Sequence, residues 1–125
     1  MRSCLKLKVL IVEDQELWAS HLVGVVERKG HLASTAGTLA EATEMLARER
    51  FDVIVWDLNL PDGNTLGLIK TTRSKCTLTM FIAGSLESHN RDQQILAGCD
   101  IGGGIEILPA LIEQTICEIE LRQAA

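Results

Sequence analysis

The chain has no tyrosine, only two tryptophans and only two phenylalanines, so any core it builds must be mostly aliphatic. No apolar run approaches the ~20 residues that a membrane-spanning helix needs. Lys6 and Lys8 interrupt the stretch after Met1-Arg2-Ser3-Cys4, which therefore lacks the apolar centre of a signal peptide. The four cysteines, Cys4, Cys76, Cys99 and Cys117, are scattered and form no CxxC pair. That removes a zinc site and a disulfide framework, and leaves inert thiols in a reducing compartment. There is no stripe of Lys or Arg along any helix, and the net charge is −5, which argues against nucleic acid as a direct partner. The expectation is a cytoplasmic protein without a membrane segment.

What is present is one domain's worth of alternating pattern. With 125 residues, the chain is long enough to bury an ordinary core, and it is read as a single domain over 1–125. Val9-Leu10-Ile11-Val12 is a continuous apolar run ending in acids, as expected of a strand buried on both faces. Trp18, Leu22, Val25 and Val26 recur at helical spacing until Gly30. His31 to Ala36 predicts a weaker strand, and Thr38 with Glu41 three residues later opens a second helix.

Val53-Ile54-Val55-Trp56 is the clearest strand and ends at Asp57. Pro61-Asp62-Gly63 marks a turn, because Pro presets φ and Gly permits positive values. A third helix carries Leu66 and Ile69, a fourth strand spans Leu78 to Ala83, and a fourth helix runs from Ser88 to Ala97. A fifth strand near Ile101–Ile105 contains Gly102-Gly103-Gly104. An amphipathic helix from Leu108 onward closes the chain, apolar enough to admit a homodimer or another partner. Five alternations of strand and helix predict an α/β, doubly wound five-stranded parallel sheet with helices on both faces.

In such sheets ligands bind beyond the carboxyl ends of the strands, where the strand order reverses. Glu13-Asp14 follows the first strand and Asp57 ends the third. If those strands are neighbours, three carboxylates converge. Unit charges ~4 Å apart repel by about 4 kcal/mol at an effective dielectric near 20. Such a cluster raises a pKa or takes up a cation, and an all-oxygen site suits Mg²⁺.

Two segments resemble response-regulator receiver domains: Val9-Leu10-Ile11-Val12-Glu13-Asp14-Gln15, and Asp52-Val53-Ile54-Val55-Trp56-Asp57-Leu58-Asn59-Leu60-Pro61-Asp62-Gly63. The resemblance runs the length of the chain and implies a flavodoxin-like receiver. It implies that Asp57 accepts a phosphoryl group from the phosphohistidine of a sensor histidine kinase or phosphotransfer protein. It makes Asp14 a direct metal ligand and Glu13 a ligand largely through water. Asn59 supplies a backbone carbonyl to Mg²⁺. It also implies a downstream output domain or partner protein. The chain is then expected to be a phosphoacceptor and not an enzyme.

The chain departs from the family at two positions. Receivers usually carry Thr or Ser at the end of the fourth strand and Lys at the end of the fifth, both holding phosphoryl oxygens. Lys75 is the last lysine here, and counting from Gly98 puts Ile105 at the lysine position, with Glu106 where a proline usually follows. For the hydroxyl, counting back from Gly98 selects Ala83, while counting forward from Asp57 reaches Gly84 or Ser85. Ala83 is preferred, with Ser85 in reserve. The aromatic residue usual in the fifth strand is missing too.

Other signals carry less. The glycines from Gly98 to Gly104 match neither GxxxxGK nor GxGxxG. His21, His31 and His89 lack ligand or catalytic partners at suitable spacing. An aspartate-nucleophile phosphatase would need a second Asp where Asn59 stands, and a larger cap-bearing domain. Two functions compete: a phosphoacceptor in a relay, favoured by Glu13, Asp14 and Asp57, and a phosphorylation-independent interaction module, favoured by Ala83 and Ile105.

Overall fold

The apolar runs become five strands: β1 (Lys8–Val12), β2 (Leu32–Ala36), β3 (Val53–Asp57), β4 (Met80–Ser85) and β5 (Ile101–Gly104). They form one sheet in the order β2-β1-β3-β4-β5, with every neighbouring pair parallel. The helices are α1 (Glu16–Arg28), α2 (Leu39–Arg48), α3 (Thr65–Lys75) and α4 (Leu108–Ala124), the last preceded by a 3₁₀ turn at Ile105–Ile107. This computed structural model describes residues 6–60, 62–63, 65–85, 94–95 and 97–124. The helix expected over Ser88–Ala97 therefore lies largely outside the described residues.

Alternation along the strands sends side chains to two separate cores. On one face Val9, Ile11, Val53, Val55 and Ile82 meet Leu22, Val25 and Val26 of α1 and Leu108, Ile112 and Ile116 of α4. On the other, Leu10, Val12, Ile54, Trp56 and Phe81 meet Ala42 of α2 and Ile69 of α3. Central β1 and β3 are covered on both faces, which is why their sequences are apolar throughout. The doubly wound architecture read from the pattern is the one found.

Local chemistry sets the helix ends. Gly30 follows α1 with φ +86°, and its N–H donates to Glu27 O at 2.9 Å. Thr38 Oγ1 accepts from the Glu41 N–H at 3.1 Å, while Glu41 Oε1 accepts from the Gly37 N–H at 3.1 Å. Asp62 adds a cap that sequence spacing does not reveal. Its carboxylate accepts from the N–H groups of Leu39 and Ala40 at 3.0 and 3.4 Å, tying the loop after β3 to the start of α2.

Two elements differ from expectation. β4 runs from Met80 to Ser85 rather than from Leu78 to Ala83, because pairing with β3 joins Val53 to Met80 and Asp57 to Gly84. Leu78, 96% exposed, lies outside it. Gly102 of β5 is explained by a neighbour. Gln94 is fully buried and lies across the strand, its Nε2 donating to Gly103 O at 3.3 Å. A Cβ on Gly102 would collide with the Gln94 Oε1.

Arg73 of α3 joins α3 to the start of β4 and to the approach to β5. Its guanidinium donates to the carbonyls of Gly98, Cys76 and Thr79 and to Asp100 Oδ2, at 2.8–3.1 Å. It also lies 3.8 Å from the Phe81 ring centre. Asp100 in turn accepts the Phe81 N–H at 2.8 Å. Arg73→Ala removes all of these donors at once and leaves an acid uncompensated. Urea denaturation should show a loss of about 3 kcal/mol. The exposed Lys8–Glu49 pair should contribute less than about 1 kcal/mol in the same assay.

Candidate functional site

β1 and β3 are neighbours, with Val12 opposite Trp56. One residue further, Glu13 and Asp57 emerge together at the carboxyl edge of the sheet, where the strand order reverses. Oxygens of Glu13, Asp14 and Asp57 all lie within 4.8 Å of one another. Glu13 and Asp57 are each 3% exposed, whereas Asp14 is half-buried. The convergence expected from the two separate motifs is thus present.

The backbone holds one oxygen of each buried acid. Glu13 Oε2 accepts from the Gln15 N–H at 3.0 Å, and Asp57 Oδ1 accepts from the Asn59 N–H at 2.9 Å. Glu13 Oε1 is buried without a hydrogen-bond donor. None of the ion pairs among the described residues includes these acids. Burial, and then the neighbouring Asp57, push the Glu13 carboxyl up to about 8, against the pull of the Gln15 amide. Burial likewise raises Asp57 above the usual carboxylate range, against the Asn59 amide. Both shifts favour the protonated form of the pair over two buried charges side by side. An orphaned buried carboxylate oxygen in an all-oxygen donor set fits a hard divalent cation.

β4 does not present its side chains as the counting suggested. Ala83 pairs with Trp56 and packs in the apolar cluster beneath α2 and α3. The residue opposite Asp57 is Gly84. A Cβ on Gly84 would stand 2.7 Å from Leu108 Cδ1 and 2.8 Å from its Cγ, so buried Leu108 fills that space. Strand parity turns Ala83 and Gly84 to opposite faces of the sheet. Ser85 is buried, and its hydroxyl donates to Asn59 Oδ1 at 3.2 Å. Sequence spacing could not reveal that link between β4 and the loop after Asp57. Ile105 opens the 3₁₀ turn just beyond β5 and packs against the core shared with α1 and α4.

Residues 9–103 match the response regulator receiver domain. The chain belongs to the receiver domain family. Its relatives include the transcriptional regulatory protein PhoP of Escherichia coli K12, 33% identical over 96 residues. That match covers 75% of this chain and 43% of PhoP. BasR of the same strain is 30% identical over 97 residues, covering 77% of this chain and 42% of BasR. The receiver thus spans less than half the length of these relatives. In fold it resembles the CheY-like receiver domain protein of Methanospirillum hungatei, with a TM-score of 0.83 at 22% identity over 97% of this chain and 98% of that one. The receiver domain of Francisella response regulator 1452 gives a TM-score of 0.82 at 22% identity, over 94% and 99%.

Membership corrects one expectation. Receiver domains mediate His-to-Asp phosphorelay signalling and catalyse the phosphorylation of their own aspartate. Describing the chain as other than an enzyme is therefore wrong, and the carboxylate cluster belongs to an autocatalytic domain.

The remaining polar singletons have structural explanations. His21 stacks on Trp18, and His31 Nδ1 accepts the Leu7 N–H at 3.0 Å while Nε2 faces Glu120 at 2.9 Å. Cys76, Cys99 and Cys117 are free thiols, and burial pushes Cys99 up to about 12. Cys4 and His89 lie outside the described residues. No helix among the described residues is long and apolar enough to cross a membrane.

Glu13 sets a pH dependence of defined sign. With a folded value of about 8 against an ordinary 4.5, the folded receiver binds more protons than the unfolded chain between those values. Its stability should fall as pH rises through that window and level off above it. Denaturant titrations in chelator should show this decline. Glu13→Gln should flatten it, and a stability that rises from pH 5 to 8 in chelator would contradict the assignment.

Proposed function

We propose that this chain is a single receiver domain over 1–125 in which Asp57 takes a phosphoryl group from a histidine kinase or phosphotransfer protein, with Mg²⁺ held by Glu13, Asp14, Asp57 and the backbone carbonyl of Asn59. The observation that carries this reading is the cluster of Glu13, Asp14 and Asp57 at the reversal point of the sheet. The Asn59 amide fixes one oxygen of Asp57, and the other attacks phosphorus as the bond to the donor's imidazole nitrogen breaks. A divalent ion bound among these acids would offset the charge brought by the phosphoryl oxygens. Glu13 must give up its proton before it can serve as a ligand, and that proton passes to solvent.

The donor set on the other side of Asp57 is neutral. Gly84 offers no side chain, Ile105 offers no charge, and Ser85 with Asn59 supplies the nearby polar contact. A charge-assisted hydrogen bond is worth about 1.5–3 kcal/mol, so the missing lysine slows transfer by roughly one to two decades. The same absences favour a second reading, a phosphorylation-independent interaction module. A phosphoryl group that makes no different contacts in two conformations cannot shift their balance. Beryllofluoride with Mg²⁺ separates the readings. Amide shifts that spread from the acidic pocket to β4 and β5 support a working switch, and shifts confined to the pocket support the module. A downstream output domain or partner protein completes the proposal, as does a cytoplasmic location without direct nucleic-acid contact or membrane attachment. A homodimer is compatible with it.

Incubation with acetyl phosphate and Mg²⁺ followed by intact mass should show a gain of one phosphoryl group that Asp57→Asn lacks. The absence of that gain in the unmodified chain would sink the phosphoacceptor reading. Restoring the charge with Ile105→Lys should accelerate labelling by about tenfold, measured as the initial rate under the same conditions.

A further inference from the structure

β2 is the outermost strand on its side of the sheet, and among the described residues no strand pairs with its outer edge. The Leu32 N–H donates to Leu7 O, and Ala36 O accepts the Glu13 N–H, both at 2.9 Å. Parallel ladders engage alternate residues, so Leu32, Ser34 and Ala36 face β1 while the backbone groups of Ala33 and Thr35 face outward. Proteins usually blunt such an edge with Lys, Pro or a bulge. β2 reads Leu32-Ala33-Ser34-Thr35-Ala36 and pairs with β1 residue for residue, with none of these devices.

Beside this edge lies an open groove of about 710 Å³ between α1, β2 and the start of α2. Four acids line it, Glu13, Asp14, Glu16 and Glu41, together with the hydroxyl residues Ser20, Ser34 and Thr35. No Lys or Arg is among its lining residues. We propose that this edge binds an extended basic segment of a partner protein, which adds a strand outside β2 and lays alternate Lys or Arg side chains along Glu16 and Glu41. Main-chain bonds from Ala33 and Thr35 supply the pairing, and the acids select the charge. A second copy of the chain fits less well, because it brings a net charge of −5 and the same acids to the same edge. The inference is independent of whether Asp57 is phosphorylated.

The test uses ¹⁵N-labelled protein saturated with Mg²⁺. It is titrated with a capped peptide of alternating Arg and Val, and separately with the counterpart carrying Glu for Arg. The Arg peptide should give saturable amide shifts at Ala33, Thr35 and Gly37 and slow amide exchange at Ala33 and Thr35. Glu16→Gln/Glu41→Gln should weaken that binding about tenfold. Glutamine at 41 keeps an acceptor for the Gly37 N–H, so the fold is undisturbed. Thr35→Pro, which removes an outward N–H, should abolish binding if it folds; if it does not, the double Gln variant decides. Equal binding of the Glu peptide, shifts confined to Glu13, Asp14 and Asp57, indifference to the double variant, or self-association through β2 in place of peptide binding would each overturn the proposal.

Discussion

Three carboxylates brought within 4.8 Å of one another, two of them buried, are the constraint around which this receiver is organised. Among the described residues no ion pair includes them. Two backbone amides, from Gln15 and Asn59, each hold one oxygen, which fixes orientation but supplies only partial positive charge. A cation held among these acids would supply the rest.

On the side of β4 and β5 the chain places glycine and aliphatic residues beside the acids. Leu108 occupies the space a side chain at position 84 would need, and Ile105 packs against the core. Ser85 and Asn59 are bonded to each other at the rim, so polar character survives there in neutral form.

Much of the architecture was legible in the order of residues. Val9–Val12 and Val53–Trp56 are apolar at every position because both strands are covered on two faces, and the acids that follow them mark where each strand leaves the core. Thr38 with Glu41, and Gly30, announce helix ends through local bonds within a few residues. The fourth strand was misplaced by two residues because its limits depend on pairing with β3, which a pattern in one segment does not encode. For the same reason the residue opposite Asp57, Gly84, is not identified by spacing. A shift of one residue reverses the face of a side chain, and only register decides it.

The sequence by itself determined the alternation of elements, the identity of the acids and the absence of any lysine after Lys75, since composition and short-range spacing carry those. Tertiary structure alone decided that β1 and β3 lie side by side, that Gly84 faces Asp57, that Gln94 lies across the glycines of β5, and that Asp62 and Arg73 tie distant segments together. Each of these depends on groups 8 or more residues apart meeting in space, most of them more than 20. Such contacts are set by how layers pack and strands register, and a linear reading of side chains holds no term for either.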